Sequence, residues 1–161
     1  MFQLKNKIMD FLSILFSTFF YVGYVPYAPG TGGTFAAFIL YLAFFHNLKP
    51  LSYIIFCVIL FISGVYFSSR AEKLLGAGDP PQVVIDEVLG YFVAMFGLSF
   101  TIERAVLGFL AFRIFDILKP FPIRYMDKNI KGGVGIMLDD IAAAIYTAFF
   151  IRFLMIVIAG L

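Results

Sequence analysis

Apolar residues recur in runs along almost the whole chain, at about 33–45, 51–67, 83–100, 105–118 and 133–161, with short polar connections between them. This recurrence constrains the fold more than any motif does, because each run has to be hidden in lipid or in a protein core. With 62% hydrophobic residues, 14% charged residues and a length of 161, and a mean hydropathy of +0.98, the chain carries more apolar surface than a soluble core of this size buries. The expected class is all-α: a polytopic membrane helix bundle with an N-terminal interfacial helix and about five membrane helices. Several runs fall at or below the roughly 20 residues that a crossing needs, and the last exceeds it. No run is separated enough to form a soluble module. Residues 1–161 therefore read as a single domain, with 1–25 as an amphipathic helix and 26–161 as the helix bundle.

Residues 8–25 follow Lys5 and Lys7 and look at first like a signal peptide, but no small-x-small cleavage site follows and Pro29 sits where a protease would cut. Asp10, Ser13, Ser17 and Tyr21 recur at three- and four-residue spacing along one helical stripe. That pattern favours an interfacial helix over a full span. Lys5, Lys7, Arg70, Lys73, Lys119, Arg124, Lys128 and Lys131 fall on one side of the threaded chain. Lys49 and Arg104 fall on the other, with Arg152 near the C-terminal end. The first side is expected to be cytoplasmic.

The net charge of +2 gives no reason to invoke nucleic acid. Cys57 is the single cysteine, which excludes a disulfide framework or a cysteine metal cluster and reads as a membrane-buried side chain. His46, also single, sits in a loop and reads as exposed or interfacial, and chemistry needing two histidines is excluded.

Charge gathers instead near cytoplasmic helix ends. Asp86 and Glu87 lie about one turn into a helix, Asp116 about one turn from the end of another, and Asp139 and Asp140 about two turns into the last. Ionisable groups at such depth are unfavourable unless paired or functional. Neighbouring helical residues point about 100° apart, so each acidic doublet can turn one carboxylate into the bundle. Converging carboxylates require cations, and all-oxygen ligation suits a hard ion such as Mg²⁺. The alternative is that these acids simply pair with Arg113, Lys119 and Arg124 to hold the bundle together. Arg113, Asp116 and Lys119 share a helix face. Pro120 and Pro122 then stop the helix and project Arg124 back toward the membrane surface, giving a guanidinium clamp suited to phosphate. Gly30, Thr31 and Thr34 belong to a glycine-rich turn that leads into a helix starting near Phe35, where backbone N–H groups can hold an anion. A flexible connecting loop is the bland reading. Gly132, Gly133, Gly135, Ala142, Ala143 and Ala144, with Gly90, Ala94 and Gly97, permit close helix approach.

Cysteine, Asp-x-Asp and two-histidine phosphatase chemistries lack their residues here, which leaves metal-assisted attack by water or by a carboxylate. A transporter of ions or protons is the rival reading, since intramembrane acids also mark transport paths. An assembly scaffold with structural ion pairs is a third.

Three blocks carry a family resemblance: Ala28-Pro-Gly-Thr-Gly-Gly-Thr34, Val84-Ile-Asp-Glu-Val-Leu-Gly90, and Phe112-Arg-Ile-Phe-Asp-Ile-Leu-Lys-Pro-Phe-Pro-Ile-Arg124 continuing through Gly132-Gly-Val-Gly-Ile-Met-Leu-Asp-Asp-Ile141. In order and spacing, from about residue 23 to 147, they resemble phosphatidylglycerophosphatase A. The resemblance implies a multi-pass enzyme of the bacterial cytoplasmic (inner) membrane, facing the cytoplasm. Such an enzyme uses Mg²⁺ to convert phosphatidylglycerophosphate to phosphatidylglycerol and inorganic phosphate. By motif, Asp86, Glu87, Asp116, Asp139 and Asp140 would form the metal and catalytic cluster, and Arg113, Lys119 and Arg124 would face the phosphate. Phe121 stands where the family often has tryptophan, and Lys131 precedes the glycine pair where some members have histidine. Neither change touches a carboxylate.

Overall fold

Prolines and glycines set the helix boundaries. The structure is a computed structural model that describes residues 2–76 and 79–159. Pro29 and Pro50 each occupy the first turn of a helix, where a missing N–H is no loss. Gly76, in the left-handed region at φ 73°, ends one of these helices. Thr101 caps the start of another by accepting from the Arg104 backbone N–H at 3.2 Å. The elements are α1 (Phe2–Ser17), α2 (Pro29–Ala43), α3 (Pro50–Leu75), α4 (Ile85–Met95), α5 (Ile102–Leu118), α6 (Ile123–Asn129) and α7 (Gly132–Ala159). Short 3₁₀ turns at Val22–Tyr24 and Phe45–Asn47 complete the described residues, which contain no strand.

The all-helical class holds among the described residues, but about five membrane helices are not confirmed. Among the described residues, Pro50–Leu75 and Gly132–Ile158 are the helices long and apolar enough to cross a membrane. At 1.5 Å per residue, α2 (15 residues), α4 (11 residues) and α5 (17 residues) span about 22, 16 and 25 Å. A hydrocarbon core is about 30 Å thick. The run at 83–100 is instead the centre of the protein: α4 packs against α2, α3, α5 and α7, and nine of its 11 residues are buried. Its apolar composition serves protein contacts, which hydropathy cannot distinguish from lipid contacts.

The outward surface is apolar where the long helices face away from the core. Leu51, Ile55, Ile59 and Ile62 on α3 and Phe149, Phe153 and Ile156 on α7 are exposed. A surface of this kind suits a bilayer rather than water.

The helix around the glycine-rich segment starts at Pro29, six residues before the expected Phe35. Glycine disfavours helix by about 1 kcal/mol per residue, which is why the segment reads as a turn. Packing outweighs that preference, because these glycines lie against α4 and its approach. On α1, Asp10, Ser13 and Ser17 do share a stripe, but it is turned inward. Ser13 and Ser17 are buried, and Arg70 of α3 places two nitrogens on Asp10 Oδ1 at 2.7 and 2.8 Å. Tyr21 lies beyond the helix, while Leu4, Ile8 and Phe11 face outward.

Cys57 is half-buried. His46 stacks near Phe100 with ring centres 4.1 Å apart. That end of the bundle also holds Arg104, bonded to Ser99, and Arg152, bonded to the Phe96 carbonyl at 2.7 Å. The opposite end carries the N-termini of α2, α4 and α7 and the C-termini of α3 and α5. There Gly133 meets α3 so closely that a Cβ would collide with the Val65 carbonyl and Ser69, and its N–H donates to Ser69 Oγ at 3.1 Å. Gly133→Ala should therefore lower stability by about 1–3 kcal/mol despite alanine's better helix propensity. Thermal unfolding in detergent followed by circular dichroism measures this, and an unchanged midpoint would show that the contact is not limiting.

Candidate active site

Helix ends from α2, α4, α5 and α7 bring the charged groups to one place. Asp86 and Glu87 lie in the first turn of α4, closer to the helix start than the expected full turn. There the helix dipole favours negative charge. Asp139 and Asp140 lie about two turns into α7 and Asp116 near the end of α5, as the spacing predicts. Asp86, Asp116, Asp139 and Asp140 are each 9% exposed or less.

The structure sorts these acids. Asp86, Glu87 and Asp140 each offer a carboxylate oxygen within 4.8 Å of the other two. Asp86 Oδ1, Glu87 Oε2 and Asp140 Oδ2 are buried without a hydrogen-bond partner. Buried, unpartnered oxygens on three clustered acids are unfavourable as they stand, and these carboxylates form a hard-donor set that a divalent cation can take. Asp116 is otherwise engaged, accepting from Arg113 Nη1 at 2.6 Å. Arg113 Nη1 also stands 3.5 Å from Glu87 Oε1, so the guanidinium ties α5 to α4, and its Nε is buried and unspent. Lys119 ends α5 in a left-handed conformation at φ 43°. Its ammonium donates to Asp127 Oδ1 at 2.8 Å and Asp139 Oδ2 at 2.5 Å. Burial works against that charge, but the two carboxylate hydrogen bonds outweigh it and raise the Lys119 pKa above its ordinary value. Lys119 is thus a fixed cation rather than a proton donor.

These groups line a cavity of about 430 Å³ closed on one side by Ala28, Pro29, Gly30 and Thr31 at the start of α2. A Cβ at Gly30 would overlap Glu87 Oε1 and press on Arg113 Nη1 at 3.1 Å, so glycine here leaves both side chains their places in the cavity. Gly90 does the same a turn further along α4, where a Cβ would meet the Phe112 ring and, at 3.3 Å, the Asp140 carbonyl.

Of the residues singled out from sequence, Asp86, Glu87, Asp116, Asp139, Asp140, Arg113, Lys119, Gly30 and Thr31 meet in the cavity. Thr34 does not reach it. It is buried one turn deeper, and its hydroxyl donates to the Gly30 carbonyl at 2.9 Å. Arg124 is exposed on α6 and is not among the residues that line the cavity. Asp79 lines the cavity although the sequence motifs do not single it out. Its signal is an acid directly before Pro80 and Pro81, on the approach to the acidic helix. Asp127 also escapes sequence reasoning, because its contact with Lys119 crosses a proline-bent turn that no helical spacing encodes.

A model of the family described as "PgpA: Phosphatidylglycerophosphatase A" matches residues 15–155. The chain belongs to the phosphatidylglycerophosphatase A family. It is 40% identical over 95 residues to phosphatidylglycerophosphatase A of Haemophilus influenzae, covering 58% of each chain. It is 39% identical over 92 residues to that of Escherichia coli, covering 56% of this chain and 54% of the relative. A protein of Bacteroides thetaiotaomicron provisionally named a phosphatidylinositol-3-phosphatase is 38% identical over 95 residues, 56% of this chain and 58% of its own. The matched segments thus span a little over half the length of these curated relatives. No solved structure matches the chain. Within this phosphatidylglycerophosphatase A family member, the cavity unites the segments that carried the resemblance.

The unpartnered oxygens make a cation-dependent prediction. Without divalent cation, Asp140→Asn should unfold at no lower a temperature than the parent, because it removes one of the mutually repelling carboxylates. Adding divalent cation should stabilise the parent, by about 2.7 kcal/mol at a hundredfold excess over the dissociation constant, and the variant far less. Thermal unfolding with EDTA or with added cation measures both, and equal cation shifts in the two proteins would rule the site out.

Proposed function

We propose that the chain hydrolyses the terminal phosphomonoester of phosphatidylglycerophosphate, with Mg²⁺ at the carboxylate cluster, yielding phosphatidylglycerol and inorganic phosphate. The observation that carries this reading is one cavity lined both by the clustered carboxylates of Asp86, Glu87 and Asp140 and by the cations Arg113 and Lys119. Acids alone repel a phosphate, and bases alone do not hold a metal. Family membership supplies the substrate class.

In this reading Asp86, Glu87 and Asp140 hold the ion, with Asp139 Oδ1, also unpartnered, beside them. When bound, Mg²⁺ supplies Lewis-acid charge at phosphate oxygens and acidifies water. The chain's own residues bind and orient. Arg113 is pinned by Asp116, so its guanidinium is held for the phosphate without a search through rotamers. Lys119, locked by Asp127 and Asp139, contributes positive charge from a fixed place. The backbone at Gly30 and Thr31 bounds the phosphate on the third side. The attacking group is water or one of the cluster's carboxylates.

The lipid's chains remain in the bilayer against the apolar faces of the bundle. The cavity end also carries Arg70, Lys73, Lys119, Arg124, Lys128 and Lys131, whereas Lys49, Arg104 and Arg152 sit toward the other, which supports a cytoplasmic orientation in a bacterial inner membrane. α1 then lies at the interface, packed along the C-terminal half of α3, with the Ser17 carbonyl accepting from the Val84 N–H at 2.9 Å. The transporter reading needs acids through the membrane depth. The buried acids among the described residues, Asp86, Asp116, Asp139 and Asp140, all stand at one end.

Purified protein in detergent should release phosphate from phosphatidylglycerophosphate with Mg²⁺ and not with EDTA, and should act more slowly on phosphatidylinositol 3-phosphate. Arg113→Gln should lower kcat/KM about 10²- to 10³-fold. Gly30→Ala should lower it by up to about 10²-fold through displacement of Glu87, without a lower unfolding temperature. Full activity in EDTA would overturn the metal assignment, and preference for the inositol lipid would overturn the substrate.

A further inference from the structure

A second cavity, of about 560 Å³, lies between α1 and α3 and shares no lining residue with the acidic one. Its wall along α3 changes character with depth. Ile62, Val65 and Tyr66 come first, and Arg70 and Lys73 follow toward the end of the helix. From Ile62 to Lys73 the helix rises about 16 Å, so the cavity is apolar at one end and cationic at the other. Asp10 is the acid on its wall. It holds Arg70 through one oxygen, and Lys73 makes no ion pair among the described residues. Among the described residues, two cations against one carboxylate leave a local charge of +1, the complement of a single phosphodiester. The cationic end lies at the same end of α3 as the acidic cavity, where a spanning α3 enters the headgroup layer.

We propose that this cleft binds one anionic glycerophospholipid as a non-reacting lipid, with its phosphate against Lys73 and Arg70 and a chain along Ile62, Val65 and Tyr66. The bound lipid wedges α1 onto α3. Basic recesses beside membrane helices recognise headgroup phosphates by this combination of charge and adjoining apolar wall. The proposal depends on α3 spanning a bilayer and is independent of the phosphatase reading.

Phosphatidylserine is a suitable probe, being neither substrate nor product of the proposed reaction. Titrated into the full chain in neutral detergent, it should bind at one molecule per chain by native mass spectrometry and raise the unfolding temperature. Lys73→Gln should weaken binding about fivefold, the effect of one cation near an anionic lipid. Asp10→Asn should strengthen it by a similar factor by releasing Arg70, since an exposed ion pair of this kind adds little to folding stability. Lys128→Gln, a change in surface charge outside the cleft, should leave binding unaltered. Equal binding of phosphatidylcholine, the same stabilisation by inorganic phosphate alone, or equal effects of Lys73→Gln and Lys128→Gln would each overturn the proposal.

Discussion

The carboxylates of Asp86 and Glu87 on α4 and Asp140 on α7 are brought together with one buried oxygen on each left unpartnered, and much of the bundle is arranged around that repulsion. Buried unpaired charge is among the least favourable features a fold can carry. Here it is offset locally by the N-terminus of α4 and by Arg113 on its flank. Lys119 performs the same service for Asp139. These offsets are incomplete, since buried oxygens on four acidic residues remain unsatisfied. An acidic cluster left this way could hold a divalent cation.

Holding the acids at that separation requires a rigid centre, and α4 provides it. Tyr91, Phe92, Val88 and Leu89 are essentially fully buried. Tyr53 donates to the Phe92 carbonyl at 2.7 Å, and Tyr91 to the Ala105 carbonyl at 3.0 Å. These bonds link α4 to α3 and α5 on either side. Gly90 lets the Phe112 ring and the α7 backbone close on α4. The small residues noted in the sequence therefore belong to the site's geometry. Gly97 differs: at φ 71° it belongs to the turn that ends α4's path, not to a helix contact.

The glycine-rich block shows how function and packing share residues. From sequence it is either an anion-binding turn or a connector, and the fold makes it the opening of a helix. Gly30 and Thr31 reach the cavity and Thr34 is spent on the helix backbone. Arg124 illustrates the reverse. Its place in a charged motif suggests a phosphate-facing role, yet α6 leaves it exposed, because the direction of a residue after two prolines depends on the turn geometry rather than on spacing.

Sequence by itself determined the all-helical class, the strongly apolar character of the chain, the acidic doublets two helices apart and the basic residues Arg113 and Lys119, because these follow from local periodicity and residue chemistry. It could not separate a helix surrounded by protein from one surrounded by lipid, so α4 reads as a membrane span when it is an 11-residue core helix. Nor could it divide five similar acids. Only the tertiary structure decided that Asp86, Glu87, Asp139 and Asp140 keep open oxygens, that Asp116, Asp139 and Glu87 also meet bases, that Asp79 lines the cavity and that Asp127 pairs with Lys119. Asp116 meets Arg113 within one helix, but the Arg113–Glu87 and Lys119–Asp139 contacts join elements far apart in the chain, and distances of that kind are set by packing.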